Sequence, residues 1–259
     1  MDLGLRDKVA LVAAASRGLG RAIAAELAAE GAGVVVCARG EARLRQAAGE
    51  IAGASGARVV PIVADVSQAG DRERLAESAL AAFGRVDILV TNSGGPPAGS
   101  FESTGPEAWR AAVELLLASA VELTRAFLPG MRQRRFGRVL NVTSISVKQP
   151  VENLILSNSL RAAVTGMARS LANEVAAFGV TVNNLLPGYT RTERLDELAE
   201  AMARRDATAP QGFYARIEAE VPARRLGEPR ELAALAAFLA SERAGYITGQ
   251  CVPINGGMV

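Results

Sequence analysis

Short runs of Val, Ile, Leu and Ala recur along the chain, and most are followed by a longer stretch whose apolar positions fall three or four apart. "KVALVAAA", "GVVVCA", "RVVPIVAD", "VDILVTN", "RVLNVTS", "VTVNNLLPG" and a late "CVPIN" are short, and most are continuously apolar. Strands of that kind are buried on both faces, which predicts a parallel sheet covered by crossover helices. Helical periodicity covers residues 19–29, 41–52, 69–83, 106–134, 157–178 and 229–240. In the 106–134 stretch, Trp109, Val113, Leu116, Ala120, Leu123 and Phe127 make an apolar face broader than a single seam. Such a face suits both the sheet and a partner subunit. The expected fold is α/β, a doubly wound parallel sheet of about seven strands forming one domain over residues 1–259. Residues 192–225, richer in charge, Ala and Pro, interrupt the rhythm. They read as a substrate lid or as an ordinary surface excursion.

Charge changes this picture little. Lys plus Arg number 29 against 27 for Asp plus Glu, and the two signs are interspersed, so neither nucleic acid nor a membrane surface is an expected partner. No apolar run approaches the roughly 18 residues that span a bilayer. Arg6 and Lys8 before "VALVAAA" mimic a secretory signal, but the run is short and leads into a glycine loop. Cys37 and Cys251 lie far apart without CxxC spacing, which fits buried thiols in a reducing, cytoplasmic setting. Histidine is absent. Ser-His-Asp and Cys-His catalysis and His-based zinc sites are thereby excluded, and no metal site is expected.

The chemistry begins at "VALVAAASRGLGRAIAAELAAEGAGVVVCAR", a strand, glycine turn, helix and second strand in about thirty residues. Gly18 and Gly20 let the backbone approach a pyrophosphate at a helix N-terminus, where free N–H groups and the helix dipole favour negative charge. Ser16, Arg17 and Leu19 complete this Rossmann-type turn. The acidic residue that would hold a ribose 2′-hydroxyl is missing, because Ala38 and Arg39 follow the second strand. Arg17 and Arg39 would pair with a 2′-phosphate, favouring NADP(H) over NAD(H), unless both are simply solvated surface arginines.

Five ordered motifs then resemble the short-chain dehydrogenase/reductase family, in its 3-oxoacyl-ACP-reductase-like branch, across the whole chain. "AAASRGLG" is similar to the TGxxxGxG turn, with Ala13 and Ala14 in place of Thr and the first Gly; "ADVS" is similar to the strand end whose Asp65 and Val66 flank adenine. "TNSGG" matches NNAG through Asn92 and Gly94, "LLPGYTRT" supplies Pro187, Gly188 and Thr192 near nicotinamide, and "YITGQCVPINGG" is similar to the C-terminal signature. The resemblance implies a small carbonyl or alcohol substrate and a homo-oligomer, dimer or tetramer.

It also implies an Asn-Ser-Tyr-Lys catalytic set, and here the chain departs from the family. Ser144 matches the serine that orients the substrate, but the tyrosine position holds Ser157, the lysine position Arg161 and the asparagine position Leu116. Tyr189, Tyr214 and Tyr246 are followed four residues later by Glu193, Glu218 and Gln250, so no YxxxK exists in another register. An aliphatic hydroxyl is a far weaker acid than a phenol and Ser157 is shorter by a ring. Arg161 can anchor ribose or an anion but is a poor proton source. Lys148, four residues after Ser144, is one of only two lysines, with Lys8. It reads as a relocated acid/base, as a clamp for a substrate anion, or as an exposed loop lysine. Ser93, Glu152, Asn153, Asn158 and Thr190 are the remaining polar groups of the mouth. The sequence supports an NADP(H)-dependent oxidoreductase with an atypical proton donor. It leaves open an impaired NADP(H)-binding regulatory protein and a scaffold for an active relative.

Overall fold

The computed structural model describes residues 2–193, 195–197, 199–200 and 210–259. Seven strands, β1 (Val9–Val12), β2 (Gly33–Ala38), β3 (Val59–Val63), β4 (Ile88–Thr91), β5 (Gly137–Val142), β6 (Val180–Pro187) and β7 (Cys251–Ile254), form one parallel sheet in the order 3-2-1-4-5-6-7. The helices are α1 (Gly18–Ala29), α2 (Glu41–Ser55), α3 (Ala69–Phe83), α4 (Pro106–Ala112), α5 (Ser119–Arg134), α6 (Ile155–Val175), α7 (Pro210–Glu220) and α8 (Pro229–Ala240). Both faces of the sheet are covered, as the continuous apolar strands require. Ala10 and Val12 of β1 pack with Ile23 and Leu27 of α1 and with Leu232 and Leu239 of α8. The alternate residue, Leu11, packs on the other face with Leu75 of α3 and Leu123, Phe127 and Met131 of α5. Each of the Val, Leu, Ile, Phe and Met side chains among them, fully buried, contributes about 1.5–3 kcal/mol. The chain winds outward in both directions from the adjacent pair β1 and β4, and the crevice beyond their C-terminal ends is where this topology holds ligands.

The differences from the expected elements have local causes. α2 continues to Ser55 because Gly53 is tolerated within a helix, and it stops where Gly56 takes a left-handed φ of 70°. The 106–134 stretch is not one regular helix. A π-helical segment, Val113–Ala118, separates α4 from α5 and carries Leu116. α6 starts at Ile155 and relaxes into a 3₁₀ turn at Ala176–Phe178. α8 opens at Pro229 behind a reciprocal capping box between Glu228 and Glu231.

Of the expected lid at 192–225, residues 194, 198 and 201–209 lie outside the described residues. The described part carries its own small apolar cluster, in which Phe213 and Ile217 of α7 meet Leu195, Ala199, Val221 and Leu226 away from the two sheet faces. Among the described residues no helix is long and apolar enough to cross a membrane, and no group of His, Cys, Asp and Glu is arranged to hold a metal ion.

Candidate active site

The glycine turn hangs from the sheet by two backbone bonds, Ala13 N–H to the Val90 carbonyl at 3.1 Å and Ala15 N–H to the Cys37 carbonyl at 2.9 Å. Between them Ala14 takes φ 49°, and Gly18 follows at φ 57°. Ala14 therefore adopts a backbone conformation that ordinarily falls to glycine. Gly20 is fixed by contact instead, since a Cβ there would lie 2.5 Å from the Ala14 carbonyl oxygen and 2.9 Å from Asn92 Nδ2. α1 begins with no acidic residue in its first turn and no side-chain cap, so its leading N–H groups stay open toward the crevice. This glycine-lined cradle fits a dinucleotide pyrophosphate. Asn92 donates to Ala14 at 3.5 Å, while Gly94 is exposed in the following loop.

Asp65 and Val66 form the next wall. The Asp65 carboxylate accepts from the Ser67 N–H and hydroxyl, and Val66 is buried with its carbonyl accepting from Arg72 Nη1 at 2.9 Å. Arg72, itself 2% exposed, forks onto Glu122 of α5 and reaches Glu114 of the π-helical segment. The wall is thus tied to the helix that carries Leu116, through an arginine whose role no sequence motif signals.

The two arginines expected at the ribose are not equivalent. Arg39 is 80% exposed and stands 4.0 Å from Asp65. Arg17 reaches across the crevice and pairs with Glu193 and Glu197, at 2.8 Å each. Arg43, in the first turn of α2, joins the same Glu193 oxygen at 2.9 Å. Neither Arg43 nor Glu193 is singled out by the sequence as a ribose-side residue, although Arg43 lies only four positions beyond Arg39. On the far side, Gly188 N–H donates to the Ile254 carbonyl at the end of β6, next to Pro187. Thr192 lies against the glycine turn, its methyl 3.6 Å from where a Cβ on Gly18 would stand.

Ser144 follows the C-terminal end of β5. Its Oγ accepts from Ser146 N–H at 3.1 Å, capping the 3₁₀ turn Ile145–Val147 and leaving the hydroxyl proton free to donate. Ser157, 9% exposed on α6, accepts from Arg161 Nε at 3.1 Å. Arg161 Nη1 also donates to the carbonyls of Val142 and Thr143, at 3.0 and 2.9 Å. Burial lowers the guanidinium to about 10, and among the described residues no carboxylate pairs with it. A cleft of about 20 Å³, lined by Arg161, Leu116, Ser119, Thr91, Asn92 and Thr143, has room for about one water. Leu116, where the family would place asparagine, closes one side of it with a hydrocarbon surface and packs on Leu156 and Leu160.

Two loops frame the mouth and are joined. Gly99 N–H donates to the Asn153 carbonyl at 2.7 Å, and Ile155 N–H donates to Gly99. Asn158 spans the second loop from within, its amide bonding both the N–H and the carbonyl of Val151. Glu152 and Asn153 are exposed, Ser93 and Thr190 less so. Lys148 is exposed, without a side-chain hydrogen bond or ion pair among the described residues. Ser144, Ser157 and Arg161, by contrast, are drawn together around the end of β5.

A family model described as enoyl-(acyl carrier protein) reductase matches residues 13–259. The chain is 36% identical to the 3-oxoacyl-[acyl-carrier-protein] reductase of Haemophilus influenzae, over 98% of this chain and 99% of that protein. It is similar to the solved L-sorbose reductase of Gluconobacter frateurii, complexed with NADPH and L-sorbose, with a TM-score of 0.95 at 34% identity, covering 100% of this chain and 98% of that one. It is also similar to a 3-oxoacyl (acyl-carrier-protein) reductase from Agrobacterium tumefaciens with NADP bound, with a TM-score of 0.89 at 32% identity, covering 99% and 96%.

Proposed function

Because the chain belongs to the short-chain dehydrogenase/reductase family of NAD(P)-dependent oxidoreductases, we propose that it interconverts a small carbonyl compound and its alcohol, with NADP(H) as the preferred cofactor and without a side-chain phenol as acid. The observation that carries this reading is Ser144: its oxygen accepts from the Ser146 N–H and, among the described residues, it makes no hydrogen bond as a donor, at the end of β5 beside the cofactor crevice. When bound, the nicotinamide supplies or takes the hydride. Ser144 donates to the substrate oxygen and stabilises the charge that develops there. Gly18, Gly20 and the open end of α1 hold the pyrophosphate, Asp65 and Val66 the adenine, and Asn92, Pro187, Gly188 and Thr192 the nicotinamide side.

Ser157 and Arg161 act as a fixed electrostatic pair. Arg161 anchors the end of β5 and directs positive charge toward the ribose and the substrate oxygen, and Ser157 relays that polarisation through its hydroxyl. The proton comes from water, since the Arg161 guanidinium keeps its charge at working pH and its Nε and Nη1 donors are taken by Ser157 and two carbonyls. Lys148, exposed at the rim, is the anchor for an anionic substrate group. The described residues of the 192–225 stretch, with α7 and its apolar cluster, serve as the substrate lid, and the chain acts as one domain. The family's habit of association and the broad face of α4 and α5 favour a homo-oligomer; the unbridged Cys37 and Cys251 favour the cytoplasm.

Titration of NADPH and NADH, followed by absorbance at the reduced-nicotinamide band with a carbonyl panel, tests the reading. NADPH binding with steady oxidation is expected. Binding without turnover would instead support a cofactor-loaded sensor or scaffold, which the replacement of Tyr, Lys and Asn by Ser157, Arg161 and Leu116 favours. Failure to bind either cofactor would overturn the reading.

A further inference from the structure

We propose that Glu193 is an internal anion that competes with the cofactor's 2′-phosphate for Arg17 and Arg43, and so sets how strongly the protein prefers NADP(H). The inference rests on the NADP(H) reading above. Arg17 is the last residue before α1 and Arg43 lies in the first turn of α2, so the two flank the C-terminal end of β2, the ribose end of the crevice. Their guanidiniums converge on one oxygen, Glu193 Oε2, at 2.8 and 2.9 Å. That carboxylate arrives from the opposite wall, 176 and 150 residues along the chain, and Glu197 adds a second contact to Arg17 at 2.8 Å.

Among the described residues, Arg17, Arg43, Glu193 and Glu197 bring together two positive and two negative charges. A 2′-phosphate, carrying about −1.5 to −2 charges, gains little from such a group until a carboxylate leaves it. The pairs are half-exposed, at 40–57% for the four side chains, and surface bridges of this kind are weak. Phosphate, with three acceptor oxygens for the arginine forks, can displace them. NADPH must therefore undo the Glu193 contacts, and NADH need not. Because Thr192 adjoins Glu193 and rests against Gly18, the exchange also loosens the segment lying over the glycine turn. The Arg17 hydrogen bond holds the Glu193 carboxyl below its ordinary range, so the competitor is ionised at neutral pH.

Calorimetric titration of adenosine 2′,5′-bisphosphate and adenosine 5′-monophosphate against the wild type and Glu193→Gln tests this without turnover. Glu193 is exposed, so the variant folds. The expected result is about 2–10-fold tighter bisphosphate binding by the variant, the range two weak bridges can account for, with the monophosphate unchanged. Unchanged or weaker bisphosphate binding would overturn the inference, as would equal tightening of both nucleotides. The two readings fail separately. A wild type that prefers the bisphosphate, with no gain in the variant, leaves NADP(H) standing and removes the competitor. A preference that appears only in the variant keeps the competitor and removes the cofactor preference. No preference in either protein removes both.

Discussion

The two ends of the crevice are built on opposite terms. At the cofactor end the cations, Arg17, Arg39 and Arg43, are exposed or half-exposed and paired with carboxylates that are themselves partly exposed, so a ligand can recruit them. At the catalytic end Arg161 is drawn inward, lowered to about 10 by burial, and bound to Ser157 and two backbone carbonyls. An arginine at the surface is a binding group in waiting. One tied to strand carbonyls is part of the scaffold, and it contributes a fixed field rather than a proton. In the proposed reading the chain keeps a cradle for a dinucleotide and moves its proton without the family's tyrosine and lysine.

If that contrast is right, restoring the proton path has the largest effect. The double variant Ser157→Tyr with Arg161→Lys should raise turnover by about 10²–10⁴-fold, the usual worth of a positioned general acid, in steady-state NADPH oxidation. An unchanged rate would show that proton delivery does not limit this site. Next in size is Gly20→Ala. Its Cβ would meet the Ala14 carbonyl oxygen at 2.5 Å, and a backbone atom cannot swing aside as a side chain does. Overpacking of this kind costs about 1–3 kcal/mol, so cofactor affinity should fall about tenfold or more and the melting temperature should drop with it. Retained affinity would mean that the glycine turn is not the pyrophosphate cradle.

A smaller effect belongs to the turn's own departure from the family. Ala14 at φ 49° carries a left-handed penalty of about 1–2 kcal/mol, partly offset in any glycine variant by greater freedom of the unfolded chain. Ala14→Gly should stabilise the protein by about 1 kcal/mol and raise Tm by about 2–4 °C. A fall in Tm in thermal unfolding would show that Ala14 is not strained.

The sheet was legible because β1, β2 and β4 are short, nearly unbroken apolar runs alternating with helical stretches, the pattern of strands covered on both faces. The glycine turn was legible because Gly18 and Gly20 stand at a strand-to-helix junction. What the sequence hid is contact between distant segments. Glu193 reads as a surface carboxylate until it is found on Arg17, 176 residues away. Arg72 reads as one arginine among many until it is found buried on Glu114 and Glu122. The π-helical segment at Val113–Ala118 escaped because its apolar spacing still satisfies a helical period. Lys148 illustrates the reverse case. Its rarity in an arginine-rich chain draws attention, but rarity carries no information about burial, and the side chain is exposed.

Lys148 also yields the smallest and most discriminating prediction. As an exposed amine at the rim it can touch a substrate's charged tail without touching the reacting oxygen. Lys148→Met should therefore leave kcat on a neutral carbonyl within about twofold, a difference of about 0.4 kcal/mol in the barrier. The KM for a carbonyl bearing a carboxylate should rise several-fold, as expected when an exposed charge pair of up to about 1 kcal/mol is removed. A KM effect without a kcat effect is the mark of binding that is equal in the ground and transition states. A large loss of kcat on the neutral substrate would have the opposite meaning. The amine would then be reaching the reacting oxygen as an acid, and the contrast between an open cofactor end and a locked catalytic end would have to admit a mobile proton donor.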